Sequence, residues 1–562
     1  MFGPVEGSGR VAGTMVVEAL AEAIRLHREG RVRDAEKIYR RVLDRHPDDP
    51  NALHFLGLVM LQDGQPGPAA EMIERAIEVD GGVADYHANL GLALRRLGRL
   101  DDAIAAYRRA IGLRPDDADA HNNLGAALSA ADRADEAAAA LRRAIELRPD
   151  WADPLNNLGV VLKALGDLEA AVEAYRRAVA IRPDHADAHY NLGNALAAAG
   201  RPDEAAAAFR RVAELEPDSA DAHFRLGNAL YAAENYEGAR AALRRAVELR
   251  PDHWEARNNL GNALRELRLD EEAVTEYRRA LAVKPDAAVA YGNLGAALGA
   301  VGRVDEAVAA YRACLDRDPG NAAARHMLAA LTGETTKAAP GDYVAKLFDS
   351  CAGRFDELLV DRLGYRTPDL MRRAVDAARG LRDRPGKHPF RRALDLGCGT
   401  GLVAAAFRDA VETLHGVDLS PKMVEAARRK ELYDALHVGD LVGHLEGLDD
   451  AAAYDLILAG DVFVYIGDLA PVFAAVRRRL GAGGLFAFSV ERLDGEGFTL
   501  RRSGRYAHAE AHVRDLARRH GFAVRAVDRV ELRTERGRPI DGLVFVLAAA
   551  ERGRHGSGGA GS

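Results

Sequence analysis

Arg392-Ala-Leu-Asp-Leu-Gly-Cys-Gly-Thr-Gly401 decides the fold of the second half of this chain. Ala393, Leu394 and Leu396 read as a short buried strand, and glycines then follow at every second position, Gly397, Gly399 and Gly401. Without a Cβ, glycine lets backbone amides turn sharply and approach a ligand that any side chain would hold away. The run Leu402 to Val411 reads as a helix, so the loop lies at a helix N-terminus with its unsatisfied amides and positive dipole end. Strand, glycine loop and helix in this order form a corner suited to a nucleotide or a carboxylate.

Spacing narrows the ligand. A dinucleotide fold uses G-x-G-x-x-G, whereas this loop is G-x-G-x-G preceded by the acidic Asp395. Seventeen residues past Gly401, Asp418 ends a second strand, Leu414-His-Gly-Val-Asp418, where a carboxylate can accept both hydroxyls of a ribose. This pattern resembles the first two motifs of the class I S-adenosylmethionine (SAM)-dependent methyltransferases. The resemblance implies SAM as methyl donor, with no metal, and a cofactor site built from Asp395, Gly397, Cys398, Gly399, Gly401, Asp418 and Leu419. It adds Asp440, at the end of the strand Ala435-Leu-His-Val-Gly-Asp440, which contacts the adenine amino group in that family, and Leu441 beside the ring.

Further strands keep the expected order. Tyr454 to Asp461 is the fourth, Gly484 to Glu491 the fifth, and Phe522 to Leu532 with Leu543 to Ala548 form a late pair, matching the hairpin that closes this fold. Ser420-Pro421 caps the helix after Asp418. Helices such as Leu469 to Leu480 and Ala509 to His520 alternate with the strands, which predicts a parallel, doubly wound, Rossmann-like α/β sheet. Ligands of such sheets lie at the carboxyl ends of the strands, where Asp395, Asp418, Asp440 and Asp461 fall. The resemblance covers nearly all of Asp342 to Ala550 and is similar to bacterial methyltransferases fused to helical repeats.

The first half repeats. Gly57, Gly91, Gly125, Gly159, Gly193, Gly227, Gly261 and Gly295 recur every 34 residues, as do Ala69 to Ala307 and Pro115 to Pro319 in their own registers. Ala35, Tyr39 and Pro47 extend the register upstream, giving nine repeats from Val16 to Asn321. The period, with Leu-Gly in a first helix, Ala in a second and Pro at the end, resembles the tetratricopeptide repeat (TPR). It implies an all-α superhelical solenoid in which neighbouring helix pairs bury one another's apolar faces and enclose a concave surface. Such arrays bind polypeptide, so this half reads as a recruitment device for a protein or peptide client.

Two residues before the signature glycine stand Asn89, Asn123, Asn157, Asn191, Asn259 and Asn293, interrupted once by Arg225. In TPR arrays this position faces the groove, where an amide can give and take hydrogen bonds with a peptide backbone. The run is similar to the asparagine ladder in the repeats of O-linked N-acetylglucosamine transferases. The other reading is that Asn-Asn-Leu-Gly is common repeat filler. His87, His121, His189 and His223 are separated by whole repeats and cannot share a metal ion. Asp85, Asp119, Asp153, Asp187 and Asp221 suit helix starts, and the Arg-Arg pairs such as Arg108-Arg109 suit a solvated face.

The organisation that follows is a flexible segment at 1–15, repeats at 16–321, a capping helix and linker at 322–341, the methyltransferase domain at 342–550 and a flexible tail at 551–562. Gly333 to Gly341 is a linker by composition. After it, Val344, Leu347, Phe348, Phe355, Leu358 and Leu359 give helical periodicity, with a second helix after Pro368. In the family such helices cover the ligand pockets, so Phe348, Phe355 and Tyr365 are either lid aromatics or packing on the sheet.

With 562 residues the chain is too long for one core, and 48% hydrophobic with 29% charged residues describes a folded soluble protein. A net charge of −8 gives no footprint for nucleic acid. Cys314, Cys351 and Cys398, dispersed and odd in number, argue for a reducing compartment and against a disulfide framework or zinc site. No apolar run reaches membrane-spanning length, and Met1 to Thr14 lacks a signal-peptide core, so the expected location is cytoplasmic, away from membranes.

For the acceptor side, Asp461, Tyr465, Tyr506 and His508 are the candidates. The last two lie in Phe498 to His508, a Gly- and Arg-rich loop after the fifth strand. His508 suits a general base near neutral pH, or simply starts the next helix. No Asn-Pro-Pro-Tyr or Asp-Pro-Pro-Tyr follows the fourth strand, which lowers the case for DNA methylation. The expected function is SAM-dependent methylation of a protein or peptide brought by the repeats. The alternatives are a small-molecule methyltransferase using the array for assembly, and a scaffold whose SAM-binding domain is inert.

Overall fold

The computed structural model describes residues 12–349, 351–357, 359, 364–380, 389–449, 453–535 and 538–550. The segments expected to be flexible at 1–15 and 551–562 therefore lie outside it, apart from 12–15, and so does Leu358. The chain divides into two compact units, Met1–Leu269 and Asp270–Ser562.

In the first unit, helices of 13 and 14 residues alternate with the 34-residue period, as in Ala84–Arg96 and Leu100–Leu113. The period has a packing cause. A Cβ on Gly159 would lie 2.5 Å from the ring of Tyr175, sixteen residues on, and that ring is only 1% exposed. The opposite helix closes on the glycine, and Ala69, Ala103, Ala137, Ala171, Ala205 and Ala239 are fully buried at the matching place. The repeated histidines are structural, as their spacing predicts. His87, His121, His189 and His223 each donate from Nε2 to a carbonyl six residues upstream at 3.0 Å. Asp85, Asp119 and Asp153 lie in first turns and pair with Arg114, Arg148 and Arg182 at 2.6–2.9 Å.

The second unit opens with the last repeat helices, Asp270–Val283, Ala288–Ala300 and Val304–Arg317, and the capping helix Ala322–Thr332. Asn321 caps this last helix by accepting from the Ala324 amide, and Gly333 ends it in the left-handed region at φ 78°. Residues 334–340, linker-like in composition, form an ordered strap. The carbonyl of Lys337 accepts from the amides of Gly467 and Asp468, both at 2.8 Å, and the Ala339 amide donates to Tyr465 at 2.9 Å. The following helix is shorter than the periodicity suggested, Gly341–Asp349, with a single turn at Ala352–Arg354 after it.

A nine-stranded sheet follows. The strands are β1 Phe390–Leu396, β2 Val411–Asp418, β3 Ala435–Val438, β4 Tyr454–Ala459, β5 Leu480–Leu493, β6 Phe498–Leu500, β7 Tyr506–Ala509, β8 Phe522–Glu535 and β9 Arg538–Ala549. β3, β2, β1, β4 and β5 lie side by side in parallel, β9 runs antiparallel beside β5, and β8 pairs antiparallel with β9. Alternate residues serve opposite faces. Leu394, Ile457, Phe486 and Phe545 pack under Phe473 and Leu516, while Ala393, Leu456, Leu458 and Val546 pack under Met371, Val375 and Phe407. Both faces are covered, which is why the central strands read as continuous apolar runs.

One segment departs from expectation. Phe498 to His508 is not an open loop but the hairpin β6–β7, with β7 running parallel to the end of β5. Among the described residues, no helix is long and apolar enough to cross a membrane.

Candidate functional site

The carboxyl edge of the sheet opens onto a cleft of about 520 Å³. On one side it is lined by Gly397, Cys398, Gly399, Asp418, Leu419, Asp440 and Leu441, seven of the nine cofactor candidates. Gly397 sits at φ 67°, and a Cβ there would fall 2.4 Å from Val462 Cγ2, so the turn leaving β1 accepts no side chain. Asp418 ends β2 and is 8% exposed; its Oδ2 accepts from the Gly399 amide and its Oδ1 from the Ser420 amide, each at 2.9 Å. Burial pushes its carboxyl upward against the opposing pull of those amides. Asp440 lies two residues past β3 and caps the helix Leu441–Gly447 through the Gly443 amide at 2.8 Å.

Asp395 and Gly401, the other two, stand behind the loop rather than in the cleft lining. Asp395 is fully buried, accepts at Oδ2 from the Tyr433 hydroxyl at 2.8 Å, and is pushed up to about 7, chiefly by burial. Tyr433 also packs 3.2 Å from the place a Cβ on Gly401 would take. This tyrosine supports the loop from below and carries no motif that would have revealed it.

Phe348, Phe355 and Tyr365 all line the cleft. Phe348 meets Tyr465 and Phe355 edge-on, with centroids 5.4 and 5.7 Å apart. Their segment is fastened to the glycine loop, where the Thr400 hydroxyl donates to Asp356, and to the two ends of the helix Pro421–Arg429, where the Ser420 hydroxyl donates to Asp349 at 2.6 Å and Lys430 donates to Asp356. Lys337, Ala338 and Ala339 of the strap form part of the same wall.

Of the four acceptor-side candidates, Asp461 and Tyr465 line the cleft, and Tyr506 and His508 do not. The structure does not place His508 as a base at the acceptor. It lies on β7, fully buried, with Nε2 donating to the Gly467 carbonyl at 3.0 Å. Burial pushes it down to about 4, so it is a neutral core histidine rather than a base facing substrate or a helix cap. Tyr506, also fully buried, shares a 2.5 Å hydrogen bond with Thr336 of the strap. Both positions follow from the hairpin, which turns these side chains into the sheet margin. Arg533, which no motif marks, lines the cleft, is 3% exposed and pairs with Asp461 at 2.8 Å.

In the first unit four of the asparagines already bond side chains of the preceding repeat. Asn157 donates to Asn122 and Asn191 to Asn156 at 3.0 Å, Asn259 donates to Asn228 at 2.9 Å, and Asn89 meets His54 at 2.9 Å. Asn123 and Asn89 line a polar recess with Asp85, Arg114, Asp119 and Arg148. Arg225 lies 5.9 Å over the Tyr190 ring and 3.7 Å from Asp221. Asn293 belongs to Ala288–Ala300 of the second unit. Among the described residues, no group of three or more His, Cys, Asp or Glu is placed to hold a metal ion.

Residues 394–486 match the methyltransferase domain family, and residues 224–288 and 271–322 match the tetratricopeptide repeat family. Residues 3–225 match the family described as the C-terminal domain of cilia and flagella-associated protein 70. The chain is 29% identical over 146 residues to a malonyl-[acyl-carrier protein] O-methyltransferase of Serratia marcescens, covering 26% of this chain and 51% of that one. It is 31% identical over 128 residues to a ubiquinone biosynthesis O-methyltransferase of Methylocella silvestris, covering 22% and 50%. It is 41% identical over 105 residues to methyltransferase-like protein 27 of Homo sapiens, covering 18% and 40%. The chain thus spans about half the length of the curated relatives it matches. Among solved structures it is similar to YrrB, described as a TPR protein with an unusual peptide-binding site, at 30% identity and a TM-score of 0.30, covering 33% of this chain and 96% of that one.

Proposed function

We propose that this chain, tetratricopeptide repeats followed by a methyltransferase domain, binds SAM in the cleft at the sheet's carboxyl edge and methylates an acceptor on a protein or peptide that the repeats recruit. The observation that carries this reading is Asp418 at the end of β2, holding the glycine loop through Gly399 while lining the cleft. Each of its oxygens accepts one amide and keeps a further lone pair, enough for the two hydroxyls of a ribose. The bare loop Gly397 to Gly399 suits close approach of the rest of the ligand, and Asp440 with Leu441 suits the adenine. SAM supplies a methyl group already activated on a sulfonium.

What the protein supplies is alignment and exclusion of water. Phe348, Phe355, Tyr365 and Tyr465 give the cleft its apolar wall, and the strap at Lys337 to Ala339 closes one side of it. Three cysteines, Cys314, Cys351 and Cys398, dispersed along the chain and odd in number, suit a reducing compartment such as the cytoplasm.

A second reading is favoured by that same wall: an apolar, aromatic cleft beneath a strap suits a small acceptor, as do the curated relatives named for malonyl-[acyl-carrier protein] and for ubiquinone biosynthesis. Labelled methyl transfer from SAM into an extract of the cells that make the protein separates the two. Label in the protein fraction supports the first reading, and label only in the small-molecule fraction supports the second. No transfer to either fraction contradicts both.

A further inference from the structure

A charge cluster centred on the buried pair Arg533 and Glu491 stands in the wall of the cleft. Arg533, on β8 and 3% exposed, turns each of its nitrogens to a different carboxylate. Nη1 donates to Asp461 at 2.8 Å, Nη2 to Glu491 at 2.5 Å and Nε to Glu535 at 2.7 Å. From the β6–β7 hairpin, Arg501 donates to the other oxygen of Glu491 at 3.0 Å, and Arg505, itself in the cleft lining, pairs with Glu535. Three guanidinium groups thus balance three carboxylates. A buried ion pair such as Arg533 with Glu491 adds little stability over apolar packing, whereas removing one partner is costly. Stability alone does not account for one beside a ligand cleft.

Asp461 is the carboxylate of the cluster that lines the cleft. It lies two residues past β4 at φ 54°, a left-handed conformation that strains a residue with a Cβ. Its backbone amide donates to Ser489 Oγ at 2.8 Å, and the Ser489 hydroxyl donates back to Oδ1 at 2.9 Å. Arg533 holds Oδ2. The side chain is therefore fixed at both oxygens, and each oxygen retains a lone pair.

We propose that Arg533 and Ser489 are positioning residues that present Asp461 to the methyl acceptor as a hydrogen-bond acceptor, so that the group methylated in this cleft is a hydroxyl or an amine and not a carboxylate. This rests on reading the cleft as the methyl-transfer site. An acceptor O–H or N–H donates to Asp461, which aims the heteroatom's lone pair at the methyl carbon. As the new bond forms, the C–S bond breaks, its electron pair stays on sulfur as a neutral thioether, and the proton leaves along the hydrogen bond to Asp461. A carboxylate acceptor has no hydrogen to offer and sets a second negative charge beside Asp461.

The test uses the full chain, labelled SAM and an extract of the cells that make the protein, with Ser489→Ala, Arg533→Met and Arg533→Lys beside wild type. SAM affinity by calorimetry should be the same in wild type and Ser489→Ala. Transfer at limiting extract should fall about tenfold or more in Ser489→Ala and Arg533→Met, the effect of losing one or two hydrogen bonds to a charged group, and recover in part in Arg533→Lys. Should Arg533→Met fail to fold, Ser489→Ala, which removes a single hydroxyl, decides. The transferred label should resist mild alkali, as ether and amine methyls do. Label released as methanol marks a carboxylate acceptor and overturns the proposal, and so does undiminished transfer by Ser489→Ala. A wild-type chain that binds SAM and gives either result defeats the proposal alone. A chain that binds no SAM defeats the reading of the cleft and the proposal with it.

Discussion

The hydroxyl of Tyr433 donates to Asp395 at 2.8 Å beneath the glycine loop, and Asp395 Oδ1 has no hydrogen-bond partner among the described residues. Burial raises this carboxyl to about 7 from an ordinary value of 3.8. A folded-state pKa above the unfolded one gives stability that is full below about 3.8 and is lost as pH rises toward 7. Tyr433 opposes the rise, since its hydrogen bond favours the charged form.

Tyr433→Phe therefore moves the Asp395 carboxyl higher and extends the loss of stability above pH 7. Denaturant unfolding should find the variant less stable than wild type by about 1.5–3 kcal/mol at alkaline pH, with the difference shrinking in acid, where the carboxyl is protonated in both. A difference that is constant with pH would show that Tyr433 acts by packing alone.

His508→Gln should leave methyl transfer and its pH profile intact, because His508 lies outside the cleft and bonds the Gly467 carbonyl. Its signature is in folding. With the folded value lowered to about 4 from 6.5, its contribution is present above pH 6.5 and lost as pH falls through 4. Acid unfolding of wild type should be steeper than that of the variant across this window, by up to about 3 kcal/mol. A large fall in turnover in a folded variant would return His508 to the reacting centre.

Changing Asn89, Asn123, Asn157, Asn191, Asn259 and Asn293 together to Ala should depress methylation of the native acceptor and leave SAM binding untouched. Each neutral hydrogen bond contributes about 0.5–1.5 kcal/mol, so single changes are too small to read, while several together matter to a tethered client. Because Asn157, Asn191 and Asn259 also donate to side chains of other repeats, the melting temperature should fall as well. Transfer at the wild-type rate would make the asparagines repeat filler.

What the sequence revealed and what it hid follow from contact distance. The repeats are legible because the glycine meets a large apolar or aromatic side chain sixteen residues on in one repeat after another, as Gly91 meets Tyr107, Gly125 meets Leu141 and Gly159 meets Tyr175. The glycine loop was legible because strand, turn and helix are consecutive. Asp461 was named from its place at a strand end, but its partner Arg533 lies 72 residues away and Glu491 is 42 residues from Arg533. Only strand register joins them. The hairpin β6–β7 reads as a loop because its strands are three and four residues long with an Arg- and Gly-rich turn between them. The strap has the composition of a linker because its bonds to Tyr465, Gly467 and Asp468 are made by backbone, which composition does not register.

Calorimetric titration of SAM into the full chain and into Asp418→Ala tests the central claim most directly. The account predicts binding by wild type and a loss of about 1.5–3 kcal/mol in the variant, as a charged hydrogen-bond acceptor is removed. Equal affinity in the two would take Asp418 out of the site, and absence of binding by the folded wild-type chain would contradict the cleft's assignment to SAM.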